Sequence, residues 1–447
     1  MREPTIYALA SGRGRAGIAV IRVSGPAVRD AAAALTSADL PVRRAVRVRF
    51  TDPDSGELLD RGLAIFFPGP ASFTGEDVLE LHVHGGLAVV DGVLAALSRL
   101  DGLRLADPGE FTRRGFENGK IDLTAAEGVA DLVAAETAGQ RRQALAQMGG
   151  ALAEFTEGAR ARLVAALAHW EAAIDFSDEE LPADLEARVV AEAEALAGEI
   201  SGHLADGHRG ERLRQGVDVA IVGAPNAGKS SLLNRLARRD AAIVSETAGT
   251  TRDIIEVHFE LAGYPVILAD TAGLRDTAGE IEAEGVRRAL ERARWADLRI
   301  VVLDGSEWPE VAAESRDWIA DGSLVAVNKT DAMDRAAPDR IGGVPAIGIS
   351  AKTGDGIDKL LAALEGEVAR IFAGQAAPLV TRARHREALA ETRAALERFL
   401  GAENRLAAPE LAAEDLRLAA RSLGRITGRV DVEDLLDVIF GDFCIGK

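Results

Sequence analysis

Hydrophobic and polar positions divide the chain into four textures. Up to about residue 118, short apolar runs at Gly17–Val23, Leu63–Phe67 and Val78–Val83 alternate with Gly/Pro punctuation and one helical stretch near Ala88–Arg99. That pattern predicts a small α+β domain. From Leu123 to about Leu213 the period becomes helical, with Leu152, Phe155, Ala159, Leu163, Ala166 and Trp170 along one stripe. The acidic, proline-containing stretch Asp175–Pro182 is its one strong break. From Val217, the runs VDVAIVG, YPVILAD, LRIVVLD, SLVAVN and VPAIGIS each end in a polar loop ahead of a helical stretch, as the strands of a doubly wound parallel sheet do. Beyond about Gly374 the helical period returns in Arg382–Leu400 and Pro409–Leu423.

The expected organisation is multidomain, α/β plus all-α. An α+β domain covers 1–118, a first helical part 119–215, an inserted nucleotide-binding domain 216–373 and a second helical part 374–447. The two helical flanks are expected to form one domain. With 47% hydrophobic but only 4% aromatic residues, the cores must be built from Ala, Leu, Val and Ile. A formal charge of -19 argues against a general nucleic-acid coat or an anionic membrane surface as main partner, yet leaves room for a local basic patch that grips RNA. The single cysteine, Cys444, excludes an internal disulfide framework and fits a reducing compartment. No apolar run reaches transmembrane length and the N-terminus lacks a secretory pattern, so a soluble, cytoplasmic protein is expected.

The chemistry concentrates in the third segment. Gly223-Ala-Pro-Asn226-Ala227-Gly228-Lys229-Ser230-Ser231 follows an apolar run and opens a helical one, the setting of a phosphate-binding P-loop. Backbone N–H groups would curl around the phosphates, Lys229 would bridge β- and γ-phosphate oxygens, and Ser230 would coordinate Mg²⁺. Asp270-Thr271-Ala272-Gly273 ends the run YPVILAD. There Asp270 would lie beside the metal and the Gly273 N–H near the γ-phosphate. Asn328-Lys329-Thr330-Asp331 ends SLVAVN, and a carboxylate there accepts two N–H bonds from guanine that adenine cannot offer. Ser350-Ala351-Lys352 ends the last run and offers backbone N–H groups to guanine O6. The order and spacing of all four motifs predict a Ras-like P-loop G domain that binds and hydrolyses GTP.

Between the P-loop and Asp270 lies Ser245-Glu246-Thr247-Ala248-Gly249-Thr250-Thr251, where Thr251 is the better candidate to close the Mg²⁺ shell. Many small GTPases orient the attacking water with a Gln after the DTAG-type motif. Here that position is Leu274, so another polar group and another positive charge are needed. Glu280, Glu282 and Glu284 all lie close downstream, and spacing does not choose among them.

These motifs, together with GRGRAGIAVIRVSGP, FPGPASFTGEDVLELHVHGG, PGEFTRRGFENGKIDLTAAEGVADL and the FCIGK tail, make the whole chain resemble the MnmE (TrmE) family of tRNA modification GTPases. The resemblance implies an N-terminal folate-binding and dimerisation domain, a central helical domain and an inserted G domain. It implies a homodimer, and a heterotetramer with the FAD-dependent MnmG protein. Together the two would convert the wobble uridine of certain tRNAs to its 5-carboxymethylaminomethyl or aminomethyl form, with 5-formyltetrahydrofolate or a related derivative as one-carbon source. It places a K⁺ ion at Asn226, Ser245, Thr247 and Thr250, in the role of an arginine finger, and selects Glu282 as the water-orienting carboxylate, so that Glu282 and Lys229 carry catalysis. It places folate contacts at Arg22, Glu80, Lys120 and Lys447, and Cys444 near the modification centre. The G domain alone also resembles ribosome-assembly GTPases, a reading that the N-terminal motifs and the FCIGK tail oppose. His82 and His84 alternate on one strand face without the third ligand a metal site needs, and CIGK lacks the features of a lipidation box.

Overall fold

The computed structural model describes the chain apart from residues 1–3, 176–184, 239–241, 244–255, 271–286, 288–289, 321, 374–377, 403–404, 406–407, 431–432, 442 and 447. Contacts divide it into two compact units: Met1–Ala130, Gln147–Val189 and Asn404–Lys447 form the first, Asp131–Ala146 and Val190–Glu403 the second.

The first unit is built on a six-stranded sheet: β1 (Thr5–Leu9), β2 (Ala16–Ser24), β3 (Val46–Thr51), β4 (Leu58–Phe67), β5 (Val78–Gly85) and β6 (Leu103–Leu105). Their order is β3-β4-β5-β2-β1-β6. Only the β1–β6 pair is parallel. Alternation does the sorting. Ile21 and Val23 of β2, Leu79 and Leu81 of β5, and Val48 and Phe50 of β3 form one core with the helices Val28–Leu35 and Leu87–Ser98. Residues between them, among them Arg22, Glu80 and His82, take the opposite face.

Phe440 and residues 443–446 also lie in this unit. Pro108 bridges Ile445, and a Cβ on Gly446 (φ +99°) would meet the Leu9 carbonyl oxygen at 2.1 Å. A side chain on Gly109 would likewise meet the Phe440 carbonyl, at 2.5 Å. Helix Ala151–Asp175 runs against helix Pro409–Thr427. There the buried Trp170 Nε1 donates to Pro409 O at 2.9 Å and Arg417 pairs with Glu171 at 2.6 Å.

The second unit holds an eight-stranded sheet: β7 (Val217–Val222), β8 (Ala242–Ile243), β9 (Glu256–Leu261), β10 (Tyr264–Asp270), β11 (Leu298–Asp304), β12 (Ser323–Asn328), β13 (Arg340–Ile341) and β14 (Val344–Gly348). Their order is β13-β14-β12-β11-β7-β10-β9-β8. The central strands from β14 to β10 are parallel. Both faces are covered, one by helices Lys229–Ala237 and Ile357–Ile371, which explains why each of these strands reads as a continuous apolar run. Strand order reverses on either side of β7, which makes its carboxyl end the topological switch point, where such sheets bind ligands. The segment ahead of the sheet in sequence joins this unit too. Gly139 N donates to Gly263 O at 2.9 Å in the β9–β10 turn, and Gln140 Nε2 donates to Arg214 O at 3.0 Å.

The helical texture of 123–213 resolves into helices Leu123–Ala134, Ala138–Met148, Ala151–Asp175 and Leu185–Gln215. Of the flanking helices, Ala151–Asp175 and Pro409–Thr427 belong to the first unit and Ala383–Gly401 to the second.

Candidate functional site

At the carboxyl end of β7 the chain turns through Gly223 (φ +144°), where a Cβ would sit 2.2 Å from Val302 O of β11. Asn226 (φ 63°) and Gly228 (φ +97°) then curl the backbone, and helix Lys229–Ala237 starts directly after Gly228. Loop N–H groups and the helix N-terminus together make an anion-binding cradle. Lys229 is 7% exposed, and its Nζ donates to Gly223 O at 2.8 Å and Ala224 O at 2.9 Å. Asn226, Ser230 and Ser231 lie on the exposed side of the turn.

Asn328 ties three motifs together. It is 2% exposed, its Nδ2 donates to Ala227 O at 2.8 Å and its Oδ1 accepts from Ala351 N at 2.9 Å. A Cβ on Gly228 would meet that same Nδ2 at 2.1 Å, so glycine is required there for packing as well as for conformation. The P-loop, Asn328–Asp331 and Ser350–Lys352 are therefore one assembly. Asp331 accepts from Ser350 Oγ at 2.6 Å, with Lys352 Nζ at 4.0 Å from its carboxylate. The Ser350 bond, with the Lys352 charge beside it, holds the Asp331 carboxyl below its ordinary range.

Strand register sets the remaining positions. Asp270 ends β10 opposite Ile221 of β7, which brings its backbone to the mouth of the P-loop. Asp304 ends β11 opposite Asn328, and its carboxylate pairs with Lys329 Nζ and accepts from Ser306. Burial pushes the Asp304 carboxyl up, but the bonds from Lys329 and Ser306 outweigh it and leave it lowered. The motif reading missed Asp304. Its signal was an aspartate at the carboxyl end of LRIVVLD, level with the other site residues. Ser245, Glu246, Thr247, Ala248, Gly249, Thr250, Thr251, Thr271, Ala272, Gly273 and Glu282 lie outside the described residues.

With Asp331 in the guanine-binding role expected from the sequence, which requires the carboxylate, affinity for GDP should stay level from neutral pH downward through the ordinary carboxylate range. It should fall only as pH drops through the lowered pKa. Ser350→Ala should move that fall to higher pH; an unshifted titration-calorimetry pH profile would contradict the role assigned to Ser350.

The N-terminal candidates behave differently. Arg22 and Glu80 face each other across β2 and β5, with Arg22 Nη2 to Glu80 Oε1 at 2.8 Å, and Arg22 also lies near the Phe73 and Phe111 rings. His82 Nε2 is 3.5 Å from Glu80 Oε2, and His84 Nδ1 is 2.9 Å from Asp60. Lys120 is exposed after helix Glu110–Glu117 with its stem against Gly75, and does not join the Arg22–Glu80 pair among the described contacts. Cys444 is exposed, and its carbonyl lies 3.5 Å from Gly109 N. Lys447 lies outside the described residues.

A P-loop at the switch point of a parallel sheet, with a carboxylate and backbone donors grouped for a guanine ring, defines a guanine-nucleotide-binding P-loop protein. The family described as GTP-binding protein TrmE N-terminus matches residues 5–120, and that described as MnmE helical domain matches 123–444. The chain is 60% identical over 447 residues to the tRNA modification GTPase MnmE of Parvibaculum lavamentivorans, covering 99% of this chain and 100% of that one. It is 59% identical to the protein of the same name from Paramagnetospirillum magneticum, covering 99% of both. Among solved structures, the G domain of the T. maritima FeoB iron transporter is 27% identical over 34% of this chain and 98% of that one, with a TM-score of 0.26. The chain belongs to the MnmE family of tRNA modification GTPases. No helix among the described residues is long and apolar enough to cross a membrane.

Proposed function

We propose that this GTPase works in the cytoplasm as a homodimer, and with the FAD-dependent MnmG protein modifies the wobble uridine of certain tRNAs. Its parts would be an N-terminal folate-binding domain (1–118), a helical domain (119–215 and 374–447) and a G domain (216–373). The observation that carries the nucleotide part is the buried Asn328, which binds the P-loop and the Ser350–Lys352 segment at once. Nucleotide contacts and guanine recognition would therefore order together.

Ser230 and Thr251 supply hydroxyl oxygens suited to Mg²⁺. Ser230 lies in the first turn of the helix at the cradle, which fits that role. Asn226, Ser245, Thr247 and Thr250, with loop carbonyls, would hold a K⁺ ion supplying the charge that an arginine finger gives elsewhere. The exposed Asn226 at the turn supports this donor set. Lys229 binds the β- and γ-phosphates, and Glu282 orients the attacking water.

On the N-terminal sheet, the half-buried Arg22–Glu80 pair beside Phe73 and Phe111 offers a carboxylate, a guanidinium and aromatic faces to a tetrahydrofolate such as the 5-formyl derivative. Lys120 and Lys447 would contribute further positive charge, and Cys444 would line the modification site.

Nucleoside analysis of tRNA tests the whole reading. Cells lacking the protein should lose 5-carboxymethylaminomethyl- and aminomethyluridine derivatives, regain them with the intact chain, and fail to regain them with Lys229→Ala. Persistence of the modified nucleosides without the protein would overturn it, and a ribosome-assembly defect in their presence would favour the regulatory alternative.

A further inference from the structure

Several arginines of the first unit are held in ion pairs. Arg22 binds Glu80, Arg29 binds Asp77, Arg99 binds Asp52 and Asp54, and Arg114 binds Glu76 and Glu110. Along β3 the arrangement differs. Val48 and Phe50 point into the core, so Arg47 and Arg49 take the other face and are exposed. Across the ladder Arg49 stands directly opposite Arg61 of β4, and Arg47 opposite Leu63. Among the described residues no carboxylate lies within ion-pair distance of Arg47, Arg49 or Arg61, in a chain carrying 71 Asp and Glu.

Like charges directly opposite each other on a sheet destabilise it. Charge on an edge strand does block strand-to-strand aggregation, and β3 is an edge strand. That purpose needs no second arginine on the inner strand β4, placed opposite the first. A polyanion accounts for all three. Alternate residues of a strand recur about every 6.8 Å, which sets Arg47 and Arg49 in a row suited to successive phosphates, with Arg61 broadening it. Guanidinium groups bind phosphate through paired N–H donors.

We infer that Arg47, Arg49 and Arg61 form a phosphate-binding surface for RNA, through which this otherwise acidic protein holds the tRNA it modifies. The inference rests on the tRNA-modifying activity of the family. Backbone contacts of this kind fix position and carry no sequence information, so they suit a protein whose base chemistry lies elsewhere.

The test is binding of an unmodified tRNA transcript to the full chain, titrated over a range of KCl concentrations. Replacing all three arginines by Gln should weaken binding at least tenfold at low salt. It should also reduce the slope of log affinity against log salt by about 2–3, since each lost phosphate contact removes about 0.7–0.9 from it. The same variant should keep its GTP turnover and melt no lower than the parent, because the like-charge pair is relieved. Unchanged affinity and slope would overturn the surface while leaving the family activity intact. A parent chain that binds no transcript at low salt would likewise overturn the surface, while the nucleoside analysis above decides the family activity. If the variant changed oligomeric state in sedimentation while its affinity per protomer held, the face would be an interface between copies, and the RNA inference would fail.

Discussion

Glu282→Ala should lower GTP turnover at saturating nucleotide by roughly 10²–10⁴-fold, the range that a positioned acid or base contributes, while affinity for GTP and GDP stays within a few-fold. The expectation starts from Leu274, which stands where many small GTPases carry a water-orienting glutamine and cannot hydrogen-bond. Another polar group must then hold the water, and the family resemblance assigns that role to Glu282. Among the described residues, Asn328 joins the P-loop to Ser350–Lys352, and Ser350 bonds Asp331, a set assigned to binding rather than to hydrolysis. A purely catalytic role therefore predicts loss in kcat with binding preserved. Parallel measurements of single-turnover hydrolysis and of nucleotide affinity separate the two, and a matching loss of affinity would remove Glu282 from the water-orienting role.

Hydrolysis should also run at least tenfold faster in K⁺ than in Na⁺ at equal ionic strength. An arginine finger contributes about 10³–10⁵ in rate, and a cation placed by Asn226 and the loop 245–251 should supply a sizeable share of that. The loop coordinates largely through carbonyl oxygens in this reading, so ion size rather than side-chain identity sets the preference. Asn226→Ala should bring the K⁺ rate down toward the Na⁺ rate. Equal rates for the parent chain in the two salts would sink the assignment.

The strands of the nucleotide domain were legible in the sequence because each is a continuous apolar run ending in a motif. Each of VDVAIV, YPVILAD, LRIVVLD and SLVAVN is a strand, and the described residues that follow VDVAIV meet Asn328 at the end of SLVAVN. The N-terminal unit was only half legible. Strands β2, β4 and β5 appear as apolar runs, whereas β1 and β6 have five and three residues, too few for a period. Helix Glu110–Glu117 has little apolar content and an internal Gly115. The pair of Arg114 with Glu76, 38 residues away, and that of Arg104 with Glu110 hold it. No local pattern announces such contacts. The alternation VRVRF was visible too, but its arginines acquire meaning only once Arg49 is seen facing Arg61.

The docking of Gly446 over Leu9 makes the first unit a late product of synthesis. The two residues are 437 positions apart (446 minus 9). At about 5–20 residues per second, translation separates them by roughly 20–90 s. Until that interval ends, the β1 end of the sheet, Pro108 and Gly109 lack the segment that covers them, although the nucleotide sheet is complete once Gly348 has been made. A ribosome that stalls after the G domain thus releases a polypeptide able to take up GTP but open at its N-terminal sheet. Such a fragment would be a natural target for chaperones and proteases.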